Sequence, residues 1–165
     1  MPSFRTKITR ITKLTPACCQ EFMNNKIIII GSGPAGMMAA IRASQLKREV
    51  ILIEKNSHPG NKLLLSGKGR CNITNNCDLG DFLERFSGNG QFLRDAFKKF
   101  FNRELREFFQ ERGLVLKTER QERVFPENDR SSSIVEVLAK ELAQNQVRIM
   151  YDSCVAGLQV KSRRI

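Results

Sequence analysis

Aliphatic residues in this chain come in short runs separated by glycine, proline and charge. Lys26 to Ile30 is the first, bounded by its lysine and by Gly31. Its length and β-branched content predict a short strand buried on both faces. From Pro34 to about Leu46 a helix is predicted, with Pro34 in its first turn and Met37, Met38, Ile41 and Leu46 as its apolar positions. Glu49 to Ile53, reading EVILI, is a second buried strand. Strand, helix and strand make a unit of about 30 residues, which implies two parallel strands joined by a right-handed crossover.

Downstream the pattern loosens. Residues 56–90 hold six of the eleven glycines and read as loop. Residues 91–112 read as helical, with Phe92, Phe97, Phe100, Phe101, Leu105, Phe108 and Phe109 as packed core. Asn102 is a candidate cap for a second helix in that stretch, and Gly113 a stop. Leu114 to Thr118 and Arg123 to Phe125 suggest a hairpin closed by Pro126. Ser131 to Ser133 precede a helix through about Gln144, with Ile134, Val135, Leu138 and Leu142 inward. Val147, Ile149 and Tyr151 alternate as a third strand, and Val155 to Val160 would begin a fourth. The chain thus divides into an extension (1–24), the strand–helix–strand unit (25–56), a loop with a helical and hairpin insertion (57–130), and a return helix with a third strand and the start of a β-meander (131–165).

Composition narrows the class. The 165 residues are 41% hydrophobic and 27% charged, values of a folded globular domain rather than of a disordered chain. No apolar run approaches the roughly 20 residues of a membrane span. The net charge of +11 is spread along the chain, no segment exceeding +3, which argues against a nucleic-acid footprint. Residues 1–24 are basic and hydroxyl-rich. They read as an extension or as sequence ahead of a start at Met23, before a targeting segment. Five cysteines, an odd number with no C-x-x-C pair, suggest reduced thiols in a cytoplasmic protein, with no metal site. The lone histidine, His58, reads as a solvated loop residue.

The chemistry concentrates at Gly31-Ser32-Gly33-Pro34-Ala35-Gly36. A lone G-x-G-x-x-G is weak, but here it leaves a strand, opens a helix and precedes a second strand that ends in Glu54. Gly31 permits the tight turn. Gly33 lets a diphosphate approach the backbone, and Gly36 lets the helix pack on the sheet. The helix start offers free N–H groups and a partial positive charge to the phosphates. Glu54, 23 residues after Gly31, is placed to accept hydrogen bonds from ribose hydroxyls and would repel a 2′-phosphate, favouring FAD or NAD over NADP. A second glycine-rich stretch, Pro59 to Lys62 and Ser66 to Asn75, sets Lys62, Lys68 and Arg70 among Gly60, Gly67 and Gly69, a composition able to wrap donors around a diphosphate. Taken alone it reads as a polar surface loop.

Together these motifs resemble bacterial FAD-dependent oxidoreductases of the aminoacetone-oxidase-like and bile-acid-reductase-like type. That family opens with G-x-G-P-A-G, ends its second strand in E-K, continues with G-x-K-L-L-x-S-G-x-G-R-C-N-x-T-N, and carries R-V-F-P. Here these are Gly31 to Gly36, Glu54-Lys55, Gly60 to Asn75, and Arg123 to Pro126. The resemblance runs from about Asn25 to the C-terminus. It implies an α/β, Rossmann-like FAD-binding domain with a parallel sheet and an inserted helical and hairpin segment. The implied cofactor residues are Gly31, Ser32, Gly33, Pro34, Ala35, Gly36, Glu54, Lys55, Lys62, Gly67, Gly69, Arg70, Cys71 and, against the adenine, the backbone at Val155. No catalytic acid or base is implied.

Members of that family are much longer, so the chain reads as the N-terminal part of a flavoprotein, incomplete in its sheet, with an inactive nucleotide-binding remnant as the alternative. A disulfide oxidoreductase using Cys71 and Cys77 is a further alternative, although five residues separate the two cysteines where that class has four. A sheet order of 3-2-1-4 would leave the Lys26–Ile30 strand as an apolar edge open to self-association.

Overall fold

The computed structural model describes residues 26–86 and 90–158. They form two compact units. Among the described residues one comprises 26–59 together with 142–158, and the other lies within Gly60–Glu141. The extension at residues 1–24 lies outside the described residues.

The first unit is built on three parallel strands, β1 (Lys26–Ile30), β2 (Glu49–Ile53) and β6 (Arg148–Met150), in the order β1-β2-β6. Residues Lys26 to Ile30 stand opposite Glu49 to Ile53 in sequence, and Ile51 to Ile53 stand opposite Arg148 to Met150. The third strand therefore lies beside the second, as the 3-2-1 order requires. An ion pair of 2.8 Å between Lys26 and Glu49 ties the entry ends of β1 and β2.

Crossover helix α1 (Pro34–Gln45) buries Met37, Ala40 and Ile41. Leu46, read as one of the helix's apolar positions, falls just past the helix end and is exposed. Lys47 then takes the left-handed conformation, φ 59°. A glycine would adopt that conformation without strain, and the non-glycine costs at most about 1 kcal/mol there.

Central β2 buries Val50, Ile51 and Leu52, as its pattern predicts. β1 does not follow the expectation of burial on both faces. Ile28 and Ile30 are 49% and 54% exposed. The reason is positional: among the described residues β1 pairs with β2 alone, so it stands at a sheet edge.

The second unit begins in the stretch read as loop, which in fact contains short elements. These are α2 (Asn61–Leu65), a 3-10 turn (Ser66–Gly69), β3 (Thr74–Asn75) and α3 (Leu79–Glu84). None is long enough to show a period in sequence. Helices α4 (Gly90–Phe97) and α5 (Asn102–Gln110) follow. Phe82, Phe86, Phe97 and Phe101 form an aromatic cluster, with Phe82 and Phe101 edge to face at 5.0 Å. Phe92, assigned to the core, is instead on the surface.

The predicted hairpin is β4 (Leu116–Glu119) and β5 (Arg123–Pro126), antiparallel, and β3 adds to its other side in the order β3-β5-β4. Asn102 does not cap α5. The side chain is buried and donates to the carbonyls of Asn75 (2.8 Å) and Cys77 (2.7 Å), holding the strand-to-helix connection. The Phe101 N–H at the start of α5 is satisfied by the Glu104 carboxylate at 2.9 Å. Gly113 does end the helical region, with φ 80°.

Helix α6 (Ser131–Gln144) buries Ile134, Leu138 and Leu142 and leads into β6. The expected fourth strand is not formed at residues 155–158, and its continuation at 159–160 lies outside the described residues.

Replacing Asn102 by alanine strands two carbonyl acceptors. Asn102→Ala is expected to lower the unfolding free energy by about 1–3 kcal/mol, measured by urea titration. A loss below about 0.5 kcal/mol, the range of ordinary surface substitutions, would show that water replaces the amide at no cost.

Candidate functional site

Three chain segments leave the carboxyl ends of β1, β2 and β6 on the same side, the side where open α/β sheets receive ligands. The segment after β1 turns at Gly31, whose φ of 93° is closed to most side chains. Its N–H donates to the carbonyl of Ile53 at 2.7 Å, so the turn is pinned to the end of β2. A Cβ on Gly36 would collide with the carbonyl of Gly31, which is why helix and turn approach this closely only with glycine there. A Cβ on Gly33 would meet no atom within 4 Å. That space lies over the start of α1, where no side chain caps the helix and no acid stands in the first turn. The first N–H groups of a helix have no intrahelical partner, and proline at the first position already lacks one. The arrangement is an open, electropositive cradle of anion-binding type.

Glu54 is buried, 6% exposed, and its carboxylate accepts four hydrogen bonds. Oε2 takes the N–H and hydroxyl of Ser32, at 2.8 and 2.6 Å. Oε1 takes the N–H and side-chain amide of Asn56, at 2.9 and 2.6 Å. Burial pushes the Glu54 carboxyl upward, but the donors of Ser32 and Asn56 outweigh it and hold the group at about 2. The backbone of Glu54 is fixed as well, its N–H to Met150 and its carbonyl from Ser153. Tyr151, at the end of β6, has its phenol raised by partial burial and then by the Glu54 charge.

Within this unit the structure brings together Gly31, Ser32, Gly33, Pro34, Ala35, Gly36 and Glu54. Lys55 is exposed beside them, and Val155 is half-buried in the segment after β6. Asn56 was not singled out in the sequence, and Tyr151 was read there only as a strand residue. Both sit at strand ends on the Glu54 side, and an amide two residues past the acidic strand end was the available signal.

Lys62, Gly67, Gly69, Arg70 and Cys71 belong to the second unit. Lys62 is exposed in α2. Gly67, Lys68, Gly69 and Cys71 have positive φ, so this stretch is a tightly wound turn. The Arg70 guanidinium donates to Asp129 at 2.7 Å and to Glu119, and lies 4.5 Å over the Phe125 ring. Lys117 joins the same carboxylates, 2.8 Å from Asp129. Cys71, Cys77 and Cys154 are free thiols. His58 is exposed in its loop, near the Pro59 carbonyl.

Residues 25–165 match the family described as HI0933-like protein Rossmann domain, and the chain belongs to that family. It is 33% identical over 141 residues to a 3-dehydro-bile acid delta(4,6)-reductase of Clostridium scindens, a span of 84% of this chain and 34% of that protein. It is 34% identical over 121 residues to the ribosomal RNA dihydrouridine synthase of Escherichia coli, a span of 73% of this chain and 29% of that protein. The chain thus spans about a third of the length of these curated relatives. A solved 3-ketosteroid-delta4-(5alpha)-dehydrogenase from Rhodococcus jostii shares the fold, with a TM-score of 0.57 at 15% identity over 78% of this chain and 37% of that one. The FAD-binding Rossmann reading drawn from the motifs therefore holds, and the disulfide-oxidoreductase alternative is not favoured. No helix among the described residues is long and apolar enough to cross a membrane.

A carboxyl held near 2 in the fold and near 4.5 when unfolded favours the folded state in its ionised form. That contribution is fully present above pH ~4.5 and fades as pH falls toward about 2, a change of about 3 kcal/mol. Glu54→Gln removes the charge and presents a donor to donors. The stability gap between wild type and Glu54→Gln, from urea titrations at several pH values, is expected to be widest at pH 6–7 and to narrow by roughly that amount toward pH 2. A gap that does not vary with pH would remove the charge from the account.

Proposed function

We propose that the chain is the FAD-binding portion of a flavin-dependent oxidoreductase, with the diphosphate over Gly33 and the start of α1 and the adenosine ribose against Glu54. The observation that carries this is the pairing of an open, uncapped glycine turn with a buried, ionised carboxylate that is locked to that same turn. A dinucleotide needs both, an electropositive seat for its phosphates and a fixed acceptor for its ribose. The bound flavin would supply the redox chemistry, while the chain supplies binding and orientation. In this reading Lys55 and Val155, which belong to the same unit, complete the cofactor site. In the second unit Arg70 is a pinned element of its turn, since Glu119 and Asp129 already engage its charge.

The names of the two curated relatives describe products in which a carbon–carbon double bond next to a carbonyl is saturated. The substrate class proposed for the whole enzyme is therefore an electron-poor alkene of that kind, in a small molecule of the cytoplasm, with no membrane partner. A uracil within RNA is the second reading, favoured by the Escherichia coli relative alone, since the charge of this chain is spread without a basic stripe. RNA binding would show as an affinity that falls steeply with salt.

A titration tests the proposal. Titration of apoprotein with FAD should show saturable uptake, and Gly33→Val should weaken it by at least about tenfold, equivalent to ~1.4 kcal/mol, while leaving thermal stability nearly unchanged. Unchanged affinity would place the diphosphate elsewhere. The edge strand β1, with Ile28 and Ile30 exposed, is an open template for strand addition. The isolated chain is therefore expected to self-associate on concentration in light scattering. A monomer independent of dilution would show that the edge is covered.

A further inference from the structure

The four donors on Glu54 saturate it. A carboxylate has about four lone-pair positions, and Ser32 and Asn56 fill two on each oxygen. A ribose hydroxyl can reach this group only by taking the place of one of them. Two of the four are backbone N–H groups fixed by the turn and by the strand end. The choice lies between the Ser32 hydroxyl and the Asn56 amide.

These two differ in where they stand. Ser32 is wholly buried, 0% exposed, so its hydroxyl fills the inner side of the carboxylate and has no route out. Asn56 is half-buried, in the segment that leaves β2 toward solvent, and its side-chain amide lies on the other oxygen. Rotation about its side-chain bonds would return that amide to water while its backbone N–H keeps Oε1 in place.

We propose that the Asn56 side chain occupies the position of a ribose hydroxyl on Glu54 and must swing away for the adenosine half of the cofactor to bind, while Ser32 stays in place to orient the carboxylate. This rests on the cofactor reading above. Asn56 is thus a residue that sets affinity. In the free protein it satisfies a buried charge that would otherwise face an empty site. In the loaded protein the ribose does so. The apparent dissociation constant is the intrinsic one divided by the fraction of molecules in the open arrangement. An amide that closes the site in roughly nine molecules of ten weakens binding about tenfold.

The test uses the whole 165-residue chain and two probes, FAD and ADP. ADP carries the adenosine ribose and the diphosphate without the flavin. Asn56→Ala, with Asn56→Ser as a second variant that leaves a shorter side chain, is expected to tighten both probes about fivefold to tenfold and to lower the urea midpoint of the apoprotein. Ser32→Ala is expected to weaken both probes and to lower the midpoint as well. The opposite signs separate displacement from general loosening, because a purely structural Asn56 would lose affinity and stability together. Equal or weaker binding of ADP and FAD by both Asn56 variants would overturn the inference. ADP binding without FAD uptake by wild type would overturn the flavin assignment, and the displacement would then be scored on ADP. Uptake of neither probe by wild type would overturn both.

Discussion

A carboxylate removed from water keeps its charge only if protein donors replace the water, and Glu54 shows what that requirement does to a chain. Its four donors come from two places 24 residues apart in sequence, Ser32 in the turn after β1 and Asn56 just past β2. Neither segment has regular structure of its own at that point. Each is held where it is because the charge must be solvated, and leaving such a group unpaired in the interior costs several kcal/mol. The same contact therefore sets the height of the glycine turn above the sheet and the direction in which α1 starts. The backbone bond from Gly31 to Ile53 works on the same gap at 2.7 Å. One polar cluster thereby fixes the geometry in which the helix start faces an anion.

Around it, the sheet supplies rigidity unevenly. β2 has a neighbour on each side among the described residues and buries three consecutive aliphatics. Among the described residues β1 has one neighbour, and Ile29 lies toward the helix face near Gly36 while Ile27, Ile28 and Ile30 are exposed. An aliphatic run on both faces of a strand is the pattern of a fully covered strand. The identity of those residues thus speaks for a neighbour and a covering layer that the described residues do not provide.

Much of the first unit was legible because its elements are long enough to show a period and are joined by residues with a single conformational role. The run of isoleucines, the proline at the start of α1, the left-handed Gly31 and the acid at the end of β2 each point to one structure. The second unit was legible only where alternation or helical spacing survived, in the hairpin, in the helices of residues 90–110 and in the part of α6 that belongs to it. Helices α2 and α3 have five and six residues, and β3 has two. At that length tertiary contacts decide, not propensity. Asn102 was misread for the same reason. Its type fits a cap, but two buried carbonyls nearby take a stronger claim on its amide. Phe92 was misread because it was counted with the other phenylalanines of residues 91–112, although its helix carries only Phe92 and Phe97 and turns one of them outward.

The contrast between Arg70 and Glu54 shows why residue type alone is a weak guide to a site. Both stand in motif-bearing segments, and both have several partners. Arg70 meets two carboxylates near the surface and a ring face, partners that neutralise it and fasten its turn. Glu54 meets only neutral donors, so its negative charge is held in place without being cancelled. A group whose charge survives folding, beside an uncapped helix start of opposite polarity, makes a two-sided receptor for a molecule with a neutral hydroxyl-bearing ring on one side and phosphates on the other. That separation of roles within a single turn, rather than the count of glycines or cations, is what the fold presents to a dinucleotide.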